Sequence, residues 1–286
     1  MTQPPCQSSQ INRAILIVWL VVALLFATFP GIDLAVARLA YDPATGTFPA
    51  EQSQALQILR STVWKLLNLG TLGLLGLLIY GLFTRHAMRI PPRFWGWCVS
   101  LIVLGPGILV NVILKSHWGR ARPAQIELFG GHAQFTPPFQ ITDQCASNCS
   151  FVSGEASFVT AGGLIIGVIL WHVVPPQRRR LMVVTLVLAV LALASMRIFK
   201  GRHFLSDVIW AMIFTGTLAW ALARLFRLDR IHAQITANAL RHDARTVTGD
   251  LRLLGGRLRS GALGLQRPAT AGRQWLRQAF GKNRQP

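Results

Sequence analysis

Two residues that can do nucleophilic chemistry, His203 and Asp207, lie four positions apart in the segment RIFKGRHFLSD. If both lie on one helical turn, the carboxylate can accept a hydrogen bond from one ring nitrogen and orient the ring. The other nitrogen is then free to attack an electrophile. A single histidine near a membrane surface is more often interfacial, so the pairing with Asp207 is what predicts catalysis.

Basic residues are unusually dense around this pair and in a second segment, LKSHWGRARP. Snorkelling of long side chains explains one or two of them but hardly all seven. A third segment, Ser153-Gly154-Glu155, begins an apolar run, and free N–H groups at a helix start bind anions. If the three segments meet, they form an anion site, most obviously for phosphate. The seven basic residues are Lys115, Arg120, Arg122, Arg197, Lys200, Arg202 and His203.

The elements that would bring these segments together are membrane helices. The 286 residues are 52% hydrophobic and 14% charged, with a mean hydropathy of +0.42, which is typical of a membrane protein. A helix needs about 20 apolar residues to cross the hydrocarbon core. We predict an all-α bundle of six transmembrane helices over 14–226, between an N-terminal tail at 1–13 and a basic tail at 227–286. The apolar runs are 14–29, 66–83, 94–114, 151–174, 181–199 and 208–226.

The charges of the loops predict how the bundle is oriented. Cytoplasmic loops carry an excess of arginine and lysine, and arginines cluster in loops 85–93 and 175–180 and at the start of the basic tail. Both termini are then cytoplasmic, and loops 30–61, 115–150 and 200–207 face outward, so the three polar segments share one membrane face. The clustered residues are Arg85, Arg89, Arg93, Arg178, Arg179, Arg180, Arg224, Arg227 and Arg230.

Cys145 and Cys149 share an outward loop and are the cysteines best placed to form a disulfide. A structural disulfide indicates an oxidising compartment such as a bacterial periplasm. Zinc is the alternative for a close cysteine pair, but no second ligand pair follows at a suitable spacing, so no metal site is predicted.

The two ends of the chain have alternative interpretations. The first apolar run resembles a secretory signal ending at Ala35-Val36-Ala37, but those small residues lie well beyond the run, so we expect a retained helix. The net charge of +19 comes without a nucleic-acid-binding motif, so no nucleic-acid partner is expected. The basic tail is expected to be disordered or to lie on the surface, with an amphipathic helix around 248–260 as the alternative.

Three motifs together resemble those of the type-2 phosphatidic acid phosphatase superfamily, membrane lipid phosphatases related to vanadium haloperoxidases and glucose-6-phosphatase. The first motif is Lys, six residues, then Arg-Pro; the second is Pro-Ser-Gly-His; the third is Ser-Arg, five residues, His, three residues, Asp. The resemblance covers roughly residues 60–226. The matching residues here are Lys115 and Arg122-Pro123, then Val152-Ser153-Gly154-Glu155, then Met196-Arg197, His203 and Asp207.

This resemblance implies a helical bundle with an outward-facing site and neither metal nor cofactor. It implies that His203 is the nucleophile, forming a phosphohistidine, and that Asp207 orients it. It also implies a set of phosphate-binding residues, which are Lys115, Arg122, Ser153, Gly154 and Arg197.

Glu155 is the main departure from the family pattern, because the family has a histidine there that protonates the leaving group and later activates water. A glutamate can do both if its surroundings favour the protonated form, which nearby cations oppose. Three interpretations stay open: Glu155 is the general acid and base, His117 or His132 replaces it, or the chemistry has changed or been lost.

A phosphate site at a membrane surface predicts a phospholipid or glycolipid substrate. The candidates are lipid A, undecaprenyl diphosphate, phosphatidylglycerol phosphate and phosphatidic acid, and the segment NCSFVSGE is more similar to lipid A phosphatases. The rival functions are a lipid phosphotransferase with the same phosphohistidine and a non-catalytic anion-binding or transport protein. The oligomeric state is not predicted.

Overall fold

The protein is a bundle of α-helices in the computed structural model, which describes residues 5–84 and 88–265. Within these ranges six helical segments are long and apolar enough to cross a membrane, and no strand is present. The prediction of an all-α, six-span membrane protein is therefore confirmed. The spans are Ser9–Thr28, Gln54–Phe83, Pro92–His117, Gly154–Val173, Pro176–Phe199 and Leu205–Leu225.

The α-helices are numbered in chain order. A π-helix, Val103–Leu114, joins α5 to α6, so the three form one continuous span. The second span begins well before the apolar run at residue 66, because the Ser53 hydroxyl caps it by accepting a hydrogen bond from the Leu56 N–H at 3.4 Å. The α-helices are α1 (Pro5–Thr28), α2 (Gly31–Ala40), α3 (Pro49–Gln52), α4 (Gln54–Phe83), α5 (Pro92–Ile102), α6 (Lys115–His117), α7 (Gly154–Val173), α8 (Arg179–Phe199), α9 (Leu205–Leu225) and α10 (Ala237–Leu265).

The spans bury one face and leave leucine-rich faces open, as lipid contact requires. Leu16, Leu20 and Leu24 of α1 are 57%, 60% and 68% exposed. The same helix is attached to α9, where the Trp19 indole N–H donates to the Thr217 hydroxyl at 2.9 Å. Helix α1 is thus a lipid-facing span held at one edge of the bundle.

A small apolar cluster outside the spans covers the end of the bundle at which α8 ends and α9 begins. It joins α2 and the segment 121–129 to the start of α9. The cluster was not predicted, because α2 and α3 are short helices inside a predicted loop. Its buried members are Ala37, Phe48, Ala121, Ile126, Phe129 and Phe204.

The first part of the basic tail is not disordered: it is helical over a range that includes 248–260, where a helix was the predicted alternative. Residues 237–265 form α10, and the Asp243 carboxylate accepts hydrogen bonds from the backbone N–H groups of Arg89 and Ile90 at 2.8 and 3.0 Å. The Tyr80 hydroxyl donates to Asp250 at 2.6 Å. This part of the tail is therefore docked on the bundle through specific hydrogen bonds. Two parts of the predicted tails lie outside the described residues, 1–4 and 266–286. Arg85, in the loop after the second span, also lies outside them.

Candidate functional site

Backbone hydrogen bonds bring the three polar segments of the sequence to one end of the bundle. The Ser153 N–H donates to the Asp207 carbonyl at 3.1 Å, which joins the start of α7 to the start of α9. The Ser150 N–H donates to the Arg120 carbonyl at 2.8 Å, which joins the loop before α7 to the segment after α6. The convergence expected from the sequence is present in the fold.

His203 is buried, with 1% of its surface exposed, and one of its ring nitrogens has a hydrogen-bond partner. Its Nδ1 lies 2.8 Å from the backbone carbonyl of Ser150 and 3.8 Å from Oδ2 of Asp207. Because a carbonyl can only accept, Nδ1 must carry the hydrogen, which leaves the lone pair on Nε2. The sequence predicted Asp207 as the residue that orients the ring. In the structure the Ser150 carbonyl is closer to Nδ1 than the Asp207 carboxylate is.

Burial also sets the charge of the histidine. It lowers the pKa of His203 from 6.5 to about 4, and the nearby Arg197 and Lys115 act in the same direction, while Asp207 opposes them. The imidazole is therefore neutral at neutral pH. A neutral ring with a free Nε2 is the form that can act as a nucleophile.

Asp207 is fully buried, and groups from three segments donate to its carboxylate. Oδ2 accepts from the Ser150 hydroxyl at 2.5 Å and from the Phe204 N–H at 2.8 Å, and Oδ1 accepts from Arg120 Nη1 at 2.6 Å. Ser150 thus contacts both members of the pair, His203 through its carbonyl and Asp207 through its hydroxyl.

Arg120 corrects the sequence interpretation, which grouped it with the anion-binding cations. Its guanidinium is fully buried and donates to two carboxylates, at 2.8 Å to Asp33 and at 2.6 Å to Asp207. It also donates to the Ser206 hydroxyl at 2.8 Å and the Thr136 carbonyl at 2.9 Å. With these partners, Arg120 is a structural cation beneath the pair and is not available to phosphate.

Sequence reasoning missed Asp33 as a functional candidate. It lies in α2, just after the first span, and is fully buried. Its Oδ1 accepts from the Ser206 N–H at 2.8 Å and its Oδ2 from the Ser206 hydroxyl at 2.5 Å. Burial raises the pKa of Asp33, and Arg120 opposes that shift. The only signal in the sequence was a carboxylate close to a hydrophobic run.

Four of the remaining cations form two groups, and the fifth, Arg197, contacts Glu155. Lys115 and Arg122 both contact one loop residue: Lys115 Nζ donates to the Asn148 side chain at 3.0 Å, and Arg122 Nη2 donates to the Asn148 carbonyl at 2.7 Å. Burial lowers the pKa of Arg122, and the nearby Arg202 acts in the same direction. Each of these predicted phosphate ligands therefore contacts an oxygen that a phosphate oxygen can replace.

Lys200 and Arg202 form the second group, and both pair with Glu51. The N···O distances to the Glu51 carboxylate are 3.4 Å for Lys200 and 2.5 Å for Arg202. Burial alone would raise the pKa of Glu51, but the hydrogen bond and charge of Arg202 and the charge of Lys200 lower it below its usual value. The sequence analysis included both residues among the converging cations. In the structure both pair with the Glu51 carboxylate instead.

The loop that carries Asn148 is closed by a disulfide between Cys145 and Cys149, as the sequence predicted. Asn148 lies inside this loop with φ of 50°. The Cys149 N–H donates to the Lys115 carbonyl at 3.4 Å. The disulfide therefore closes the loop that holds Asn148 against the two cations.

Ser153 and Gly154 form the start of α7, as expected. The buried Ser153 hydroxyl accepts from the Ala156 N–H at 3.3 Å, which is an N-cap, and its own hydrogen remains for another acceptor. A Cβ at Gly154 would lie 2.8 Å from the Asn111 carboxamide oxygen, so a side chain there would require Asn111 to move. Glycine therefore lets α7 approach the π-helix closely at the site.

Glu155 is the carboxylate at which Arg60 and Arg197 meet. Arg60 binds it with Nε at 2.9 Å and Nη2 at 2.5 Å from Oε1, and Arg197 Nη1 lies 3.4 Å from the same oxygen. Arg197 is largely buried, and its Nε has no hydrogen-bond partner among the described residues. That unused buried donor is what a phosphate oxygen would accept from. Arg60, outside every motif recognised in the sequence, was missed.

His117 and His132, the alternatives to Glu155, have no hydrogen bond to His203, Asp207 or Glu155 in the described part of the chain. The ring Nδ1 of His117 lies 2.7 Å from the Ile113 carbonyl, within its own helix. His132 is exposed in the loop before α7. Of the three candidates, Glu155 is the one that contacts a predicted phosphate ligand.

Comparison with known proteins identifies the family. The family model described as the PAP2 superfamily matches residues 94–230, a range that holds all eight predicted catalytic and phosphate-binding residues. The chain belongs to this superfamily and is a multi-pass membrane protein.

Three curated bacterial relatives carry the name lipid A 4'-phosphatase. The protein from Rhizobium leguminosarum is 33% identical over 219 residues, covering 70% of this chain and 92% of its own. That from Rhizobium etli is 34% identical over 215 residues, covering 71% and 79%. That from Francisella tularensis subsp. novicida is 40% identical over 126 residues, covering 43% and 53%. No solved structure matches the chain.

Proposed function

We propose that this protein is a membrane lipid phosphatase that removes a phosphate monoester from lipid A through a phosphohistidine at His203. The observation that carries the proposal is the buried, neutral imidazole whose Nδ1 hydrogen is donated to the Ser150 carbonyl and whose Nε2 keeps its lone pair. Membership of the PAP2 superfamily supports a lipid phosphatase, and the names of the three relatives support lipid A.

In the first step, Nε2 of His203 attacks phosphorus and the bond from phosphorus to the lipid oxygen breaks. Lys115, Arg122 and Arg197 bind the phosphate oxygens and stabilise the charge that develops on them. The Ser153 hydroxyl and the N–H groups at the start of α7 complete the phosphate site. Ser150 and Asp207 hold the ring while its charge rises, since both lie on the Nδ1 side.

Glu155 is the residue that we propose for both proton transfers. Phosphate that binds to Arg197 competes with Glu155 for the guanidinium, so substrate binding removes part of the positive charge that pairs with this carboxylate. Glu155 can then hold a proton and give it to the leaving lipid oxygen. In the second step it takes a proton from the water that attacks the phosphohistidine, and phosphate and free His203 result.

We also propose that the site faces the periplasm and that both termini are cytoplasmic. The arginine clusters at the opposite ends of the spans support this orientation through the positive-inside rule. The Cys145–Cys149 disulfide supports it independently, because it lies on the side of the site and requires an oxidising compartment.

The test is mass spectrometry of lipid A and total phospholipids from matched cells that express the wild type or the His203→Ala variant. We expect the wild type alone to produce lipid A lacking one phosphate, with free phosphate released. Loss of phosphate from undecaprenyl diphosphate, phosphatidylglycerol phosphate or phosphatidic acid instead would identify another lipid phosphatase. Transfer of the phosphate to a second lipid would identify a phosphotransferase, and no difference between the two strains would overturn the proposal.

A further inference from the structure

We propose that Asp33 and Arg120 are positioning residues for catalysis and that they act on His203 through Asp207 and Ser206. The inference rests on the proposed function, because it assumes that His203 is the nucleophile. Neither residue belongs to the motifs by which the sequence resembles its family. Both are fully buried, and the guanidinium of Arg120 is bound to Asp33, Asp207, Ser206 and Thr136.

The first part of the argument is a continuous set of hydrogen bonds. Asp33 Oδ2 lies 2.8 Å from Arg120 Nη2, and Arg120 Nη1 lies 2.6 Å from Asp207 Oδ1. On the other oxygen of Asp207, the Ser150 hydroxyl donates at 2.5 Å, and the carbonyl of the same Ser150 lies 2.8 Å from His203 Nδ1. Four short contacts therefore connect α2 to the histidine.

The second part is a clamp on the first turn of α9. Asp33 accepts from both the N–H and the hydroxyl of Ser206, and Arg120 donates to that hydroxyl at 2.8 Å. Ser206 is the residue before Asp207, so these bonds fix the backbone from which the Asp207 carboxylate projects. Asp33 thus controls both the position of Asp207 and the arginine that pairs with it.

The third part is the charge arrangement. Arg120 lies between two carboxylates, with its guanidinium carbon 4.4 Å from the centre of the Phe204 ring. Removing one partner from a buried pair leaves a charge without compensation. With Asp33 neutralised, Arg120 is expected to move toward Asp207, pulling that carboxylate away from Ser150 and thereby loosening the ring of His203. A displacement of about 1 Å at reacting atoms can cost about 100-fold in rate.

The test compares Asp33→Asn with the wild type in purified, detergent-solubilised full-length protein. We expect kcat to fall by about 10- to 100-fold with KM within about twofold, because the nucleophile is misplaced while the phosphate ligands are intact. Rapid-quench labelling should show the same loss in the rate of phosphohistidine formation. A Ser206→Ala variant, which removes only the hydroxyl contacts, should show a smaller fall in kcat, again without change in KM.

The matched control is Thr217→Val, which removes the partly buried hydrogen bond from Trp19 to α9 without touching the network. It should keep the wild-type kcat and KM. An unchanged kcat in both Asp33→Asn and Ser206→Ala would overturn the inference, as would a rise in KM with kcat unchanged. If Asp33→Asn does not fold, Ser206→Ala decides alone. Failure of the proposed function is a separate outcome: the wild type itself would then form no phosphohistidine.

Discussion

The two sides of the site differ in how completely their charges are neutralised by the protein. On the nucleophile side, His203, Asp207, Arg120 and Asp33 are buried and contact one another or Ser150 and Ser206 at 2.5–2.8 Å. On the phosphate side, Lys115 and Arg122 contact a single loop asparagine, and Arg197 shares Glu155 with Arg60.

This difference indicates a division of labour. A nucleophile acts only in one orientation, so its contacts must be complete before the substrate arrives. A binding site must exchange its ligands, so its cations contact oxygens that phosphate oxygens can replace. Substitutions on the first side should therefore lower kcat, and substitutions on the second should act mainly through substrate binding or proton transfer.

The largest expected effect is that of His203→Ala, which removes the proposed nucleophile. Phosphate release from lipid A by solubilised enzyme should fall by about 10⁴-fold or more. The control is His172→Gln, which changes a histidine near the other end of α7 whose Nδ1 lies 2.9 Å from the Val168 carbonyl. If His203→Ala kept more than a few per cent of the wild-type activity at equal expression, the proposal of covalent catalysis by His203 would be wrong.

Glu155→Gln tests whether the phosphate side also takes part in proton transfer, and we expect about 10³-fold lower turnover of lipid A. With an aryl phosphate, whose leaving group needs no acid, the variant should still phosphorylate His203 and should accumulate the phosphoenzyme. Combining Glu155→Gln with Arg60→Gln controls for ion pairing. Recovery of activity in the double variant would show that Glu155 only neutralises Arg60.

Arg197→Lys should weaken the phosphate side directly, because lysine keeps the charge but loses the planar fork that can bind two oxygens. We expect kcat/KM to fall by about 10²-fold. Arg180→Lys, near the other end of the same helix, is the matched control. Equal activity of the Arg197 and Arg180 variants would mean that the unpaired Nε of Arg197 has no part in phosphate binding.

Opening the Cys145–Cys149 loop should have a smaller effect, confined to binding. In the Cys145→Ser, Cys149→Ser double variant, Asn148 is less ordered and Lys115 and Arg122 lose pre-organisation. The expected cost is about 0.5–1 kcal/mol, or two- to fivefold in KM, with kcat unchanged. Cys98→Ala, at the buried free cysteine, controls for thiol loss. A change in kcat instead of KM would connect this loop to the nucleophile side.

The smallest expected effect is that of mild acid on the nucleophile side. In the proposed mechanism the neutral form of His203 reacts, and its pKa of about 4 lies below the ordinary 6.5, so we expect activity to be lost only as the pH falls through about 4. Profiles of kcat/KM should be measured with two substrates whose phosphate ionisations differ. If kcat/KM for both substrates fell on the acid side with the same midpoint near pH 6.5, His203 would be solvated in the working enzyme.

How much of the site the sequence predicts depends on the kind of contact. Lys115, Arg122 and Arg197 were predictable because their charges lie at the ends of apolar runs, where they need an explanation. Arg120 is two residues from Arg122 and carries the same charge, yet it is buried between two carboxylates. Only the fold distinguishes them, because the partner Asp33 is 87 residues away.

Contacts made by the backbone could not be predicted from residue types. The groups nearest to His203 Nδ1 and Arg122 Nη2 are the carbonyls of Ser150 and Asn148, which every residue type has. The six spans, in contrast, were predictable because membrane crossing imposes a length and a composition on each one. Helices α2 and α3 lie outside the spans and are too short to carry such a signal.

Helix α2 has a consequence for what counts as the smallest functional piece of this protein. The family match begins at residue 94, but Asp33, the second carboxylate of Arg120, lies 61 positions earlier in the chain. A fragment cut at the start of the match would keep every motif residue and still contain a buried guanidinium with half of its counter-charge missing. If Asp33 acts as proposed, the catalytic unit includes the first span and α2, and the two pieces should complement each other when they are expressed separately.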